Sequence, residues 1–281
     1  MSAQLGNIVF IVWRESVEAL LVVGILSAWL ASRDAVERTA GRRFLWAGVA
    51  SGIVGAVVLA VVLTAFDGAL SEEASSLFQT AIVLIAAVLI VQMVVWMRRH
   101  GRTLKRDMET ALTGAAERRS WWGVYVLALV AVLREGSETV VFLWGSLAGI
   151  TVSTAWGPIL AALAGFAAAV ASYMVLQLGG RVLSWRLFFR VTEVMLLFLA
   201  AGLTVTGIAG LMDLGWLPSL GRAWDTSALL SDGGVAGGLI SALTGYRARP
   251  DITEVLGFAL YWLAVFGLLR GPVWAARPRT A

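Results

Sequence analysis

The sequence predicts an all-α polytopic membrane protein of seven transmembrane helices, arranged as an inverted repeat of three plus three with one helix added. Three observations lead there. Of 281 residues 59% are hydrophobic and 14% charged, where a soluble domain carries nearer a quarter charged. Seven apolar runs are long enough, at roughly 20 residues, to cross a bilayer. The word Arg-Glu-x-x-Glu occurs twice, at Arg14-Glu15-Ser16-Val17-Glu18 and Arg134-Glu135-Gly136-Ser137-Glu138, each time inside an apolar run.

The first span is expected over Leu5–Ala31 and carries the first motif; the second, Phe44–Phe66, carries Gly48, Gly52 and Gly55 at close-packing spacing. The third, Leu77–Met97, has no charge. The fourth, Trp121–Ile150, carries the second motif, and the fifth, Trp156–Gly179, is rich in small residues (Ala161, Ala164, Gly165, Ala168, Ser172). The sixth is Leu187–Met212 and the seventh Ile252–Leu269. Tryptophans near the ends (Trp29, Trp46, Trp96, Trp121, Trp122, Trp156, Trp185) are expected as interfacial anchors. The segment Arg98–Ser120 reads as a short amphipathic cytoplasmic helix. Asp213–Asp251, with Gly233-Gly234 and Gly237-Gly238, reads as irregular, with room for one interfacial helix.

Basic residues alternate between loops. The first loop holds Arg33, Arg38, Arg42 and Arg43; the third holds Arg98, Arg99, Arg102, Lys105, Arg106, Arg118 and Arg119. The fifth holds Arg181, Arg186 and Arg190, and the tail Arg277 and Arg279, whereas loops two and four have no Lys or Arg. The positive-inside rule then puts the N-terminus outside and the C-terminus in the cytoplasm. The N-terminus does not read as a signal peptide, since it has no basic leader and its apolar run is broken by charge. The whole chain reads as one transmembrane domain: repeat one about 5–97, repeat two about 121–212, seventh helix about 252–269. The motifs lie on the first and fourth spans, an offset of three helices, so the motif helices run in opposite directions, the mark of an inverted-topology repeat.

Composition also excludes chemistry. The chain has no cysteine and one histidine, His100, in a basic loop. Disulfides, iron–sulfur clusters, haem on paired intramembrane histidines and His-Glu-x-x-His zinc sites are therefore ruled out. The formal charge of +4 reports orientation in the membrane, and nothing points to nucleic acid. An intramembrane metal site would have to be built from oxygen ligands.

The doubled motif supplies them. Each ionised side chain at a bilayer centre costs roughly 2.5–3.5 kcal/mol on insertion scales, so six such groups demand an explanation. Residues three and four apart share a helix face; Glu15, Glu18 and Arg14 therefore point together, as do Glu135, Glu138 and Arg134. If the two helices meet at the midplane, four carboxylates face two guanidiniums. That acid excess suits a hard cation, ferric iron included. A salt-bridge lock between helices would need balanced charge, and a purely proton-carrying cluster is the other plain reading. Glu193 either lines the pathway or pairs with Arg190, and pairing is favoured.

At these residues the sequence resembles the oxidase-dependent iron permease family. Beyond the motifs, the resemblance rests on Leu77-Phe78, Trp96-Met97, Phe188-Phe189, Leu199-Ala200-Ala201-Gly202-Leu203, Trp224-Asp225 and Gly245-Tyr246-x-Ala248-x-Pro250, and covers essentially the whole chain. It implies a transporter, not an enzyme, in the bacterial inner membrane. Ferric iron would be taken inward after a partner oxidises ferrous iron, with no tightly bound cofactor and iron as substrate. It implies that Glu15, Glu18, Glu135 and Glu138 handle iron, supported by Arg14 and Arg134. The chain departs from the family at Gln79, where many members have glutamate. Glu72 and Glu73, just before it, are candidates for the outer mouth, although solvated acidic residues are the plainer reading. Without a fused extracytoplasmic extension, the oxidase or iron-delivery protein is expected to be separate. A transporter or exporter of another divalent metal, and a membrane subunit of an oxidoreductase, are the readings from other classes.

Overall fold

In a computed structural model of the chain, the described residues are 2–100, 121–147, 156–178, 185–230, 237, 240–241 and 244–270. They form seven α-helices, with one isolated bridge, Arg222 to Asp251, in place of any strand. The helices are α1 (Ser2–Ala31), α2 (Ala35–Gly68), α3 (Glu72–His100), α4 (Trp122–Leu147), α5 (Trp156–Leu178), α6 (Trp185–Asp213) and α7 (Ile252–Arg270). The Arg98–Ser120 helix expected from sequence falls almost wholly outside the described residues, and Asp213–Asp251 partly so.

Two boundaries differ from the sequence reading. The connection from α1 to α2 is only a few residues, and Arg38, Arg42 and Arg43 ride on the first turns of α2. The cause is an N-cap: the Asp34 carboxylate accepts a hydrogen bond from the Glu37 backbone N–H at 2.8 Å, and Glu37 in the first turn adds a negative charge at the helix start. Likewise α3 begins at Glu72, so Glu72 and Glu73 belong to a helical first turn, where carboxylates favour the positive end of the helix dipole.

Five helices, α2, α3, α5, α6 and α7, are long and apolar enough to cross a membrane. The other two, α1 and α4, have 30 and 26 residues and are the ones interrupted by the charged motifs. The surface inverts the soluble pattern. Val54, Val57, Val58, Val61 and Val62 of α2, Leu160 and Leu163 of α5, and Leu256, Leu260 and Leu263 of α7 stand exposed on outward faces, as lipid contact requires. No backbone group needs lipid to satisfy it within a helix.

The helices pair most extensively as α2 on α4, α1 on α5 and α3 on α6, with α1 also against α4. Gly41, Leu45, Gly48, Gly52 and Ala56 form the buried stripe of α2. A Cβ built at Gly52 would come within 2.8 Å of Val132 Cβ and 3.0 Å of the Leu133 backbone nitrogen. One built at Gly165 would come within 2.6 Å of the Val9 carbonyl oxygen, 3.1 Å of Val12 Cβ and 3.2 Å of the Trp13 nitrogen. Both glycines therefore allow backbone-to-backbone approach, which is what holds helices together in lipid. The main apolar core lies between α3 and α6, where Ala86, Ile90, Val94, Leu196, Leu199 and Ala200 are nearly inaccessible. Phe10 and Ile11 of α1, Phe142 of α4 and Val265 of α7 close it.

Beyond α6 the chain turns back through two glycines in left-handed conformation, Gly215 (φ 73°) and Gly221 (φ 93°). Asp251, just before α7, ties this strap down: its carboxylate accepts from the Ser219 hydroxyl, from the Leu220 and Gly221 N–H groups at 3.2 Å each, and from the Thr253 N–H at 2.8 Å.

Candidate functional site

The two motifs fall at the middles of α1 and α4, and the packing of those helices brings them together. One carboxylate oxygen each from Glu15, Glu18 and Glu135 lies within 4.8 Å of the others. Glu138 stands beside this triad, held by Arg134, whose Nε donates to Glu138 Oε1 at 2.9 Å and lies 3.9 Å from Glu135 Oε1. Arg14 is bound on the other copy: Nη1 donates to Glu15 Oε1 at 2.7 Å, and Nη2 pairs with Glu18 Oε1.

Burial grades the cluster. Glu15 and Glu135 are 1% and 6% exposed, whereas the Glu18 and Glu138 side chains are 15% and 17% exposed and Arg134 39%. The cluster is therefore closed around Glu15 and Glu135 and reached past Glu18, Glu138 and Arg134. Within it, Oε2 of Glu15, Glu135 and Glu138 are buried acceptors without a hydrogen-bond partner. An unpaired buried acceptor costs about 1–3 kcal/mol, more when charged, and these three, beside the likewise unpartnered Nε of Arg14, leave room for a positive group to pair with them.

A third helix completes the surroundings. From α3, Met93 and Met97 present their sulfurs to Arg14: Sδ of Met93 lies 2.9 Å from Nη1 and Sδ of Met97 3.7 Å from Nη2. Trp96, between them, lies against Arg134, with Cζ 4.7 Å from the ring centroid, a cation–π arrangement. In the sequence Trp96 and Met97 stand out only as a span end and a family likeness, and Met93 not at all. The signal available is their spacing: positions 93, 96 and 97 share one helix face.

The remaining sequence candidates are not at the cluster. Glu193 pairs with Arg98 of α3 and not with Arg190, which is exposed. Glu72 and Glu73 are exposed at the start of α3. Gln79 donates to Asp67 at the end of α2, 3.3 Å to Oδ2, and to Ser75 Oγ at 3.1 Å. Ser75 also donates to Asp67 Oδ1, at 2.6 Å. Asp67 does not stand out in the sequence, where it is one acid at the end of an apolar run.

Comparison with known proteins follows the same lines. The profile of the "Iron permease FTR1 family" matches residues 6–277. The chain is 32% identical over 254 residues to the "Ferrous iron permease EfeU" of Escherichia coli O6:H1, covering 89% of this chain and 90% of that relative. It is 28% identical to the protein of the same name from Yersinia pestis, covering 89% and 88%. No solved structure matches.

Proposed function

The chain belongs to the iron permease FTR1 family, and from that premise we propose that it imports iron across the bacterial inner membrane through the carboxylate cluster of α1 and α4. It is a transporter and not an enzyme. The observation that carries the site assignment is the convergence of Glu15, Glu18 and Glu135 within 4.8 Å, with buried carboxylate oxygens of Glu15, Glu135 and Glu138 left without partners. A salt-bridge lock would use those oxygens; a cation pathway leaves them free for the ion. In this reading Glu15, Glu18, Glu135 and Glu138 hold iron, while Arg14 and Arg134 keep the carboxylates apart and oriented until it arrives. Iron is the substrate, and the site needs no resident cofactor.

Carboxylate oxygens suit a hard cation, which supports ferric iron produced by a separate extracytoplasmic oxidase. Direct uptake of ferrous iron is the second reading, favoured by the name carried by the relatives, "Ferrous iron permease". The N-terminus lies outside and the C-terminus inside, on the alternation of arginines between loops. The inverted repeat is supported by the glycine contacts. Gly52 meets the residues two and one before Arg134, and Gly165 those two and one before Arg14. The outer end of α3, with Glu72, Glu73 and the Gln79–Asp67 pair, is the candidate mouth of the pathway. Glu193 is paired with Arg98 at the other end of α3, and the proposed mouth does not draw on it.

Radioactive iron uptake in a transport-deficient bacterium, with and without a co-expressed oxidase, tests the function. Glu15→Ala, Glu18→Ala, Glu135→Ala and Glu138→Ala should each abolish uptake at normal membrane levels. Normal uptake in two or more of them would sink the site assignment.

A further inference from the structure

Oxygen-ligand chemistry leaves unexplained why two thioethers face the cluster. Nη1 of Arg14 lies 2.7 Å from Glu15 Oε1 and 2.9 Å from Met93 Sδ. Nη2 pairs with Glu18 and lies 3.7 Å from Met97 Sδ. Each terminal nitrogen of one guanidinium therefore bridges a carboxylate and a thioether. Met93 is 4% exposed and Arg14 1%, so the Met93 side of the arrangement is buried, while Met97 and Glu18 are partly exposed.

A thioether is a weak hydrogen-bond acceptor and does little to stabilise a buried guanidinium that already has two carboxylates. It is a competent soft ligand for a metal. The positively charged nitrogens of Arg14 stand in for a cation held between one hard and one soft donor. The other copy of the motif differs: Arg134 meets the face of Trp96, and no sulfur is recorded against it among the described residues.

We infer that Met93 and Met97 are specificity-determining ligands. When iron displaces Arg14 from its glutamates, the two sulfurs join Glu15 and Glu18 in a mixed oxygen–sulfur set. That set holds ferrous iron and disfavours hard divalent cations such as magnesium and calcium, which take oxygen ligands. No electron moves in this step; the guanidinium leaves and the metal takes its place. The inference rests on the transport reading above in its second form, direct uptake of ferrous iron, and names the ligands that would select that ion.

The test uses Met93→Leu, Met97→Leu and the double variant, since leucine keeps the volume and removes the sulfur. Uptake is measured with iron held ferrous by ascorbate or supplied as ferric citrate, against magnesium or cadmium ions as hard and soft competitors that ascorbate does not reduce. The wild type should take up ferrous iron and be blocked by cadmium. The double variant should raise KM for ferrous iron about tenfold or more, as loss of a supporting metal contact does, lose the cadmium block and become sensitive to magnesium. Iron X-ray absorption of purified, ferrous-loaded protein supplies a readout independent of transport: a sulfur shell in the wild type, absent from the double variant. A wild type that carries only ferric iron, a wild type without the sulfur shell, or a double variant with unchanged KM and competition would each overturn the inference. A sulfur shell in a protein that moves iron in neither form would uphold the ligands and overturn the transport reading instead.

Discussion

Replacing each motif arginine by lysine separates charge from geometry, and the structure makes the two replacements unequal. Arg14 uses both terminal nitrogens, one on Glu15 and one on Glu18, and is 1% exposed. In Arg14→Lys a single ammonium keeps the charge but cannot span both carboxylates in the way a planar fork can. One charge-assisted bond is lost, worth about 1.5–3 kcal/mol. Iron must later displace this fork, so the loss acts on the empty site, where the spacing of Glu15 and Glu18 is held less of the time. At 1.4 kcal/mol per factor of ten, a binding-ready arrangement populated about ten- to a hundredfold less should slow iron uptake in Arg14→Lys by a similar factor. Arg134 has one close bond, to Glu138, with its side chain 39% exposed, and lies on Trp96. A lysine there keeps a cation near both partners, and the change in cation–π contact is about 0.5–1 kcal/mol for an exposed pair, a few-fold in rate. The assay is initial-rate uptake of radioactive iron, normalised to protein in the membrane, with thermal unfolding in detergent as a check on folding. Equal losses, or a larger loss at Arg134, would refute the assignment of Arg14 as the clamp of Glu15 and Glu18.

Three further expectations follow from the packing and the topology. Gly165→Ala puts a methyl 2.6 Å from the Val9 carbonyl oxygen and should destabilise the α1–α5 contact by about 1–3 kcal/mol, read as a lowered unfolding temperature; an unchanged Tm would mean that the helices have room to part. A membrane-impermeant thiol reagent added outside should label Ser71→Cys and spare Ser32→Cys in a chain with no cysteine of its own; the reverse pattern would overturn the orientation and the inward direction of transport. In the strap, the Ser219 hydroxyl and the Thr253 N–H hold the Asp251 carboxyl down at about 2. Because this folded value lies below the ordinary 3.8, its contribution is whole above pH 4 and fades as pH falls toward 2. Protease sensitivity of the strap should therefore be constant from pH 7 to 5 in wild type and raised throughout in Asp251→Asn; a wild-type transition near pH 5 would contradict it.

The helices were legible because lipid imposes one long apolar run per crossing, and the motif residues because charge inside such a run stands out. What escaped were choices made by tertiary contact. Arg190 lies three residues from Glu193 and shares its face on paper, yet Arg98, 95 residues away, takes the carboxylate. The sulfur contacts of Met93 and Met97 join residues 79 and 83 positions apart, and in the sequence both methionines look like ordinary apolar filling. The start of α2 is hidden because its Arg-bearing turns lack apolar periodicity; the Asp34–Glu37 cap is the local signal.

The cross-pairing of α1 with α5 and of α2 with α4 bears on how the protein is made. Synthesis delivers α1 first, with three charges in its middle, while the helices that will enclose those charges are still untranslated. Each bare charge would resist insertion by about 2.5–3.5 kcal/mol. Arg14 answers this within its own helix, since Glu15 and Glu18 are its neighbours by sequence as well as by fold, so the nascent segment travels with one uncompensated carboxylate instead of two. The guanidinium that pairs with Glu15 and Glu18 in the finished fold thus serves, before that fold exists, as their escort through the insertion machinery.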